Sequence, residues 1–161
     1  MFIPVIIDEN KKELLLFSNN NIYEEWNVYK ESFHLLEYIL PTEDIEDLNI
    51  LKNKFDFIEQ YDFDEIINKY SMNDSIVALI FKNEKALRIL SRIFINGNLV
   101  LKNQSFTGVD LNNKVNFQEI IKEIKTVYED YWKNFNQINT SIKLPLSIKV
   151  KNTNNLKISD F

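Results

Sequence analysis

The positions of apolar residues along the chain indicate two kinds of element. Continuous or alternating apolar runs predict β-strands, and apolar residues spaced three or four apart predict α-helices. Seven runs have the strand pattern: residues 2–7, 13–17, 35–40, 75–81, 86–95, 99–106 and 142–150. Four stretches have helical spacing, and their apolar faces begin at Ile22, Ile45, Phe63 and Phe117. This interleaving predicts an α/β fold, with α+β as the alternative: a mixed sheet of about six or seven strands packed by about three or four helices.

A β-hairpin is predicted around Asn96-Gly97-Asn98, which separates two of the strand-like runs. A three-residue loop pairs Ile95 with Leu99 and gives one apolar face. A two-residue loop would instead mix Lys102 and Gln104 into that face, so we favour the longer loop. Its register places a basic and aromatic set on the other face: Arg88, Arg92, Lys102, Phe94 and Phe106. Such a face can bind nucleic acid or another polyanion, and it is the first candidate binding site.

A cluster of acidic residues marks the start of the second helix. Thr42 is its expected N-cap, and carboxylates in the first turn stabilise the positive end of the helix dipole. Asp44 and Asp47 are three residues apart, so they share a helix face and could instead bind a hard cation or transfer protons. A carboxylate-dependent hydrolase would require one of them to lie about 5–10 Å from Asp62 or Asp64 in one cleft. Helix stabilisation is the simpler interpretation.

Composition excludes several classes of site. The chain has no Cys, which excludes a thiol nucleophile, a disulfide and a thiolate metal site. Gly97 and Gly108 are the only glycines, so neither glycine-rich phosphate-binding motif is present. His34 is the single histidine and cannot form a two-histidine zinc helix. We therefore assign no catalytic residue, no metal site and no cofactor from the sequence.

The charge balance bears on the kind of partner. With 19 basic and 24 acidic residues the net charge is −5, which repels a phosphate backbone at long range. Nucleic-acid binding would therefore depend on a local basic face. No apolar run approaches the ~18 residues of a membrane span. The expected partner is another protein or an anionic ligand.

Both ends of the chain have features of an internal segment. An apolar strand begins at Phe2, and Ser159-Asp160 has the character of a helix N-cap with no helix after it. We expect residues 1–161 to form one domain of a longer protein.

Four segments carry a resemblance to a known family. They read PVIIDENKKELLLFSNNNIYEEW, LEYILPTEDIEDL, INKYSMNDSIVALIF and VYEDYWK. Together they resemble the bacterial family known as domain of unknown function 2066. The matching positions are Pro4, Val5, Trp26, Pro41, Asp44, Asp47, Tyr70, Trp132 and Lys133.

The sequence departs from the family pattern at three places. Glu43 stands where the family tends to have Gly, Ser71 follows Tyr70 in place of another Gly, and Ile22 replaces the Pro of an Asn-Pro pair. Any backbone turn that those glycines allow must therefore differ here. The resemblance implies an exported protein with a further N-terminal segment and more sequence downstream, and it implies no particular reaction.

These observations support one principal hypothesis and two alternatives. The principal one is a non-catalytic binding module of a larger exported bacterial protein, with the Arg88, Arg92 and Lys102 face as its binding site. It requires Arg88 and Arg92 to be solvent-exposed on an uncovered face. The alternatives are a carboxylate-dependent hydrolase of the carbohydrate-active type, and a nucleic-acid or polyanion-binding domain that uses the basic hairpin face.

Overall fold

The computed structural model describes residues 1–17, 20–28, 35–42, 44–83, 86–109 and 113–137. Its strands are β1 (Phe2–Asp8), β2 (Glu13–Leu15), β3 (Ser75–Lys82), β4 (Ala86–Ile95) and β5 (Asn98–Thr107). Its helices are α1 (Asn21–Val28), α2 (Ile45–Asn53), α3 (Asp64–Lys69) and α4 (Lys114–Phe135), and a 3₁₀ turn spans Phe55–Phe57.

The described strands form one mixed sheet in the order β2-β1-β3-β4-β5. β1 and β3 are parallel, and the other neighbouring pairs are antiparallel. All of β1, and β3 except its last residue, are buried, as expected for continuous apolar strands covered on both faces. This confirms the predicted class: one domain in which a mixed sheet is packed by four helices.

The number of strands differs from the prediction. Residues 35–40 are irregular and not a strand, although the Phe2 amide donates a 2.9 Å hydrogen bond to the Ile39 carbonyl. β2 pairs only with Ile6–Asp8 of β1, and residues 35–40 reach the Phe2 end of the same edge through this hydrogen bond without continuing into a ladder. Leu35 and Ile39 consequently remain about half exposed. The other missing strand, residues 142–150, lies outside the described residues.

Helices cover the sheet on both sides. We call the side covered by α1 and α4 the α4 face, and the side covered by α2, α3 and the 3₁₀ turn the α2 face. On the α4 face the Phe2 and Trp26 rings stack with centroids 3.9 Å apart. Of the apolar face predicted for α4, Phe117, Ile120, Ile121, Ile124 and Tyr128 are buried, whereas Phe135 is exposed and Lys125, expected to face water, is buried.

The core of the α4 face contains one fully buried hydroxyl pair. The hydroxyl groups of Ser91 and Tyr128 lie 2.8 Å apart, and neither residue is exposed. We expect Tyr128→Phe to lower the free energy of unfolding by about 1–3 kcal/mol, because it leaves the Ser91 hydroxyl buried without its partner. Urea denaturation measures this change. The double variant Ser91→Ala/Tyr128→Phe should recover part of the loss, and an unchanged single variant would contradict the assignment.

Candidate functional site

The hairpin between β4 and β5 has a two-residue loop. Ile95 pairs with Asn98, and the loop residues Asn96 and Gly97 have φ angles of 50° and 76°. Positive φ at both positions is the type I′ geometry, whose twist matches that of the flanking strands and which Asn-Gly favours. The predicted three-residue loop is therefore wrong. The turn preference of Asn-Gly outweighs the tendency to keep polar residues off the apolar face.

The shorter loop shifts the register by one residue and separates the predicted basic site. Lys102 and Phe106 pair with Ser91 and Leu87, so they lie on the α4 face. Arg88, Arg92 and Phe94 lie on the opposite α2 face. The five residues proposed from the sequence therefore do not form one surface. A one-residue change of register moves every side chain of a strand to the other face.

Arg88 and Arg92 contact the segment that follows α2. The Arg88 guanidinium lies 3.9 Å from the centre of the Phe81 ring, and its Nη1 is 3.3 Å from Oε2 of Glu59, with which it forms an ion pair. Arg92 Nη1 donates to the Glu59 carbonyl oxygen at 3.3 Å. Both arginines thus hold residues 55–60 against the sheet. Arg88 and Arg92 therefore do not form the uncovered basic face that the anion-binding hypothesis requires.

The acidic cluster at the start of α2 is organised around a lysine of α3. Asp44, rather than the predicted Thr42, is the N-cap, and its Oδ1 accepts a 2.7 Å hydrogen bond from the Glu46 amide. Lys69 Nζ forms ion pairs with Asp44 and, at 3.1 Å, with buried Asp47. The Tyr70 hydroxyl donates to Asp47 Oδ2 at 2.9 Å. The cluster therefore joins the start of α2 to the end of α3.

This arrangement is suited to structural stabilisation. The Lys69 ammonium and the Glu46 amide hold the pKa of Asp44 below its ordinary value of 3.8, whereas a general acid needs a raised pKa. Asp62 accepts from the Asp64 amide at the opposite end of α3 from Lys69. The carboxylates proposed for a hydrolase therefore lie at different ends of this helix.

The lowered carboxyl pKa values predict the direction of acid unfolding. In Asp8 the Lys11 amide and the Lys82 side chain also hold the pKa below 3.8. Because Asp44 and Asp8 have lower pKa values folded than unfolded, their stabilisation is present above about pH 4 and is lost as the pH falls further. We expect the urea midpoint to fall between about pH 5 and about pH 3. Asp44→Asn should reduce this pH dependence, and an unchanged profile would contradict the assignment.

An uncovered part of the sheet was not predicted from the sequence. We call Leu99, Leu101, Asn103 and Ser105 the β5 strip: their side chains share the α2 face of β5, and all four are exposed. The exposed fractions of Leu99 and Leu101 are 47% and 59%. The predicted register places these leucines in the core. The Asn-Gly pair is the sequence signal that could have revealed their exposure, since the two-residue loop that it favours sets the register.

The backbone of the β5 strip also faces outward. Within the described residues β5 pairs with β4 alone and is therefore an edge strand. In a two-residue hairpin the residues that flank the loop, Ile95 and Asn98, exchange hydrogen bonds, and the pattern then alternates along the strand. The amide and carbonyl groups of the β5 strip consequently point toward the open edge. Exposed side chains and exposed backbone groups thus belong to the same residues.

A groove adjoins the β5 strip. It has a volume of about 730 Å³ and lies between residues 55–60 and the sheet. Its apolar lining includes Phe57, Phe81, Leu90 and Leu101, and Phe57 is 66% exposed. Glu9, Lys12, Asp56 and Glu59 supply its charged groups. The groove therefore extends the apolar surface of Leu101 toward the 3₁₀ turn.

The remaining sequence-based expectations concern the single histidine, a metal site and a membrane span. His34 lies outside the described residues. Across the described ranges, no group of three or more histidine and acidic side chains is placed to hold a metal ion. No helix in that part of the chain has the length and apolar character needed to cross a membrane. Comparisons with protein-family models, with curated proteins and with solved structures find no match to this chain.

Proposed function

We propose that this domain is a non-catalytic binding module of a larger exported bacterial protein, and that it binds an extended polypeptide segment along β5. The observation that carries the proposal is the exposure of Leu99 and Leu101 on an edge strand beside an apolar groove. The larger exported context is supported by the sequence resemblance alone.

Strand addition is the binding mode that fits this surface. Main-chain hydrogen bonds to the sheet edge supply affinity in such complexes, and pockets for alternate side chains supply specificity. The backbone groups of the β5 strip provide the first feature. The groove lined by Phe57 and Leu101 provides the second. A segment with apolar residues at every second position would match both.

The charges around this surface favour a polypeptide over a polyanion. None of the four residues of the β5 strip is charged. Two cations of β4 share this face: Arg88 is paired with Glu59, and Arg92, which lies opposite Leu101, donates to the Glu59 carbonyl oxygen. The chain as a whole carries a charge of −5, which disfavours a phosphate backbone. A neutral apolar strand needs no free cation and is not repelled by the negative charge of the chain.

The test uses defined probes and a residue-specific signal. We would titrate the ¹⁵N-labelled chain with a short peptide that alternates leucine and threonine between terminal lysines, and separately with an oligothymidylate. The control is the same peptide with its central residue replaced by proline, because proline lacks the amide hydrogen that a β-ladder needs. The proposal predicts that only the alternating peptide shifts the amides of the β5 strip. Oligothymidylate binding at β4 without any peptide shift would overturn the proposal in favour of the polyanion alternative.

A further inference from the structure

Within the described residues, the β5 edge has only one of the features by which proteins protect an exposed sheet edge, an inward-facing lysine. Such edges are usually short, or carry charged residues, proline or a bulge. β5 is ten residues long, pairs with β4 in continuous register, and contains no proline. Its one charged side chain, Lys102, lies on the α4 face and is half-buried. An edge with this little protection is suited to pairing with another strand.

We propose that the strand that covers β5 is β5 of a second copy of this chain. The two strands would run antiparallel and be related by a two-fold axis. Their pairing would join the sheets of both copies into one. This inference rests on the proposed strand-addition function and names its partner. An isologous contact of this kind requires a self-complementary surface, and a neutral strip with a free backbone edge meets that requirement.

The sequence of β5 favours one register for this pairing. If the axis passes at Leu101, each Leu101 lies opposite its own copy and Leu99 lies opposite Asn103. Four leucine side chains then form one cluster across the joint, while Lys102 lies opposite Val100. An axis at Lys102 would place two like charges directly opposite each other, which destabilises a strand pair. Of these two axes, the one at Leu101 is therefore favoured.

The distribution of charge supports a second copy as the partner. Each copy carries a net charge of −5, so association through any acidic surface would be repulsive. The strip has no charge, and its neighbour Arg88 is ion-paired within its own chain. Two copies can therefore meet at the strip itself without placing like charges directly opposite each other, while the two Lys102 side chains lie diagonally across the joint on the α4 face.

The absence of cysteine from the chain allows a direct test. In the proposed register two Leu101 Cα atoms lie about 5.5 Å apart, within disulfide range. Ser105 of one copy lies eight residues along the strand from Ser105 of the other, or about 26 Å. Leu101→Cys should therefore cross-link under mild oxidation, and the matched variant Ser105→Cys should do so at least about tenfold more slowly.

The experiment combines cross-linking with a mass measurement on the full chain. Light scattering should give the wild-type chain twice its mass of 19.2 kDa at high concentration. Equal cross-linking of both cysteine variants, or a wild-type mass of 19.2 kDa at every concentration, would overturn the inference. If that monomer still binds the alternating peptide, the proposed function stands without the second copy. If the chain binds neither a second copy nor the alternating peptide, both proposals fail.

Discussion

Replacing Leu99 and Leu101 together by lysine should lower the affinity of the β5 edge by about a hundredfold or more, for a second copy and for the alternating peptide alike. Charged side chains on the exposed face of an edge strand are the means by which many proteins prevent strand addition. In the proposed pairing, the lysine introduced at position 101 also lies directly opposite its own copy. Light scattering and amide chemical shifts measure the two affinities.

A matched control separates this effect from general changes of surface charge. Ile45 and Val115 are 75% and 63% exposed and lie on helix-forming segments away from β5. The double variant Ile45→Lys/Val115→Lys adds the same charge and should bind as the wild type does. Both double variants should keep the free energy of unfolding within about 1 kcal/mol of the wild-type value, because substitutions at exposed positions change stability little. Equal loss of binding in the two would contradict the role of the β5 strip.

Replacing Asp47 by alanine should produce the largest loss of stability among the polar positions discussed. Asp47 is buried, and its carboxylate accepts from Lys69 at 3.1 Å and from the Tyr70 hydroxyl at 2.9 Å. Removing the carboxylate leaves both donors without this partner and should lower the free energy of unfolding by about 2–3 kcal/mol. This loss is smaller than for a fully buried ion pair because Lys69 is partly exposed.

Urea denaturation of Asp47→Ala and Asp47→Asn distinguishes the charge from the hydrogen bonds. The asparagine carbonyl can still accept one hydrogen bond, so this variant should lose less stability than alanine. A loss below about 0.5 kcal/mol for Asp47→Ala would show that the cluster does not join α2 to α3. Because this cluster lies apart from β5, neither variant should change the affinity for the alternating peptide.

The parts of the fold that depend on local pattern were predictable from the sequence. The buried stripe of α4 follows from helical spacing over about three turns, and the continuous apolar run of β3 follows from burial on both faces. The hairpin at Asn96-Gly97 was also located correctly. In each case the information lies within a single stretch of chain.

Two features that differ from the prediction depend on contacts between distant residues, whereas the register of the hairpin depends on the local turn preference of Asn-Gly. The apolar run of residues 35–40 fits a strand, but it reaches only the Phe2 end of β1 and forms no ladder there. The five residues of the basic set lie on two faces because they share one face only in the longer-loop register. Lys69 lies 25 residues from Asp44 along the chain, so sequence spacing could not indicate their ion pair. The exposure of Leu99 and Leu101 likewise depends on where the helices end.

Amide hydrogen exchange along β5 at low and high protein concentration tests the central claim most directly. Amides that bond to β4, such as those of Val100 and Lys102, should be protected at both concentrations. The amides of Leu99, Leu101 and Asn103 point to the open edge, so we expect them to exchange fast in dilute solution and to become protected at high concentration. Alternating, concentration-dependent protection is the predicted result. Fast exchange of these amides at every concentration, with or without the alternating peptide, would contradict the claim that β5 is a strand-addition edge.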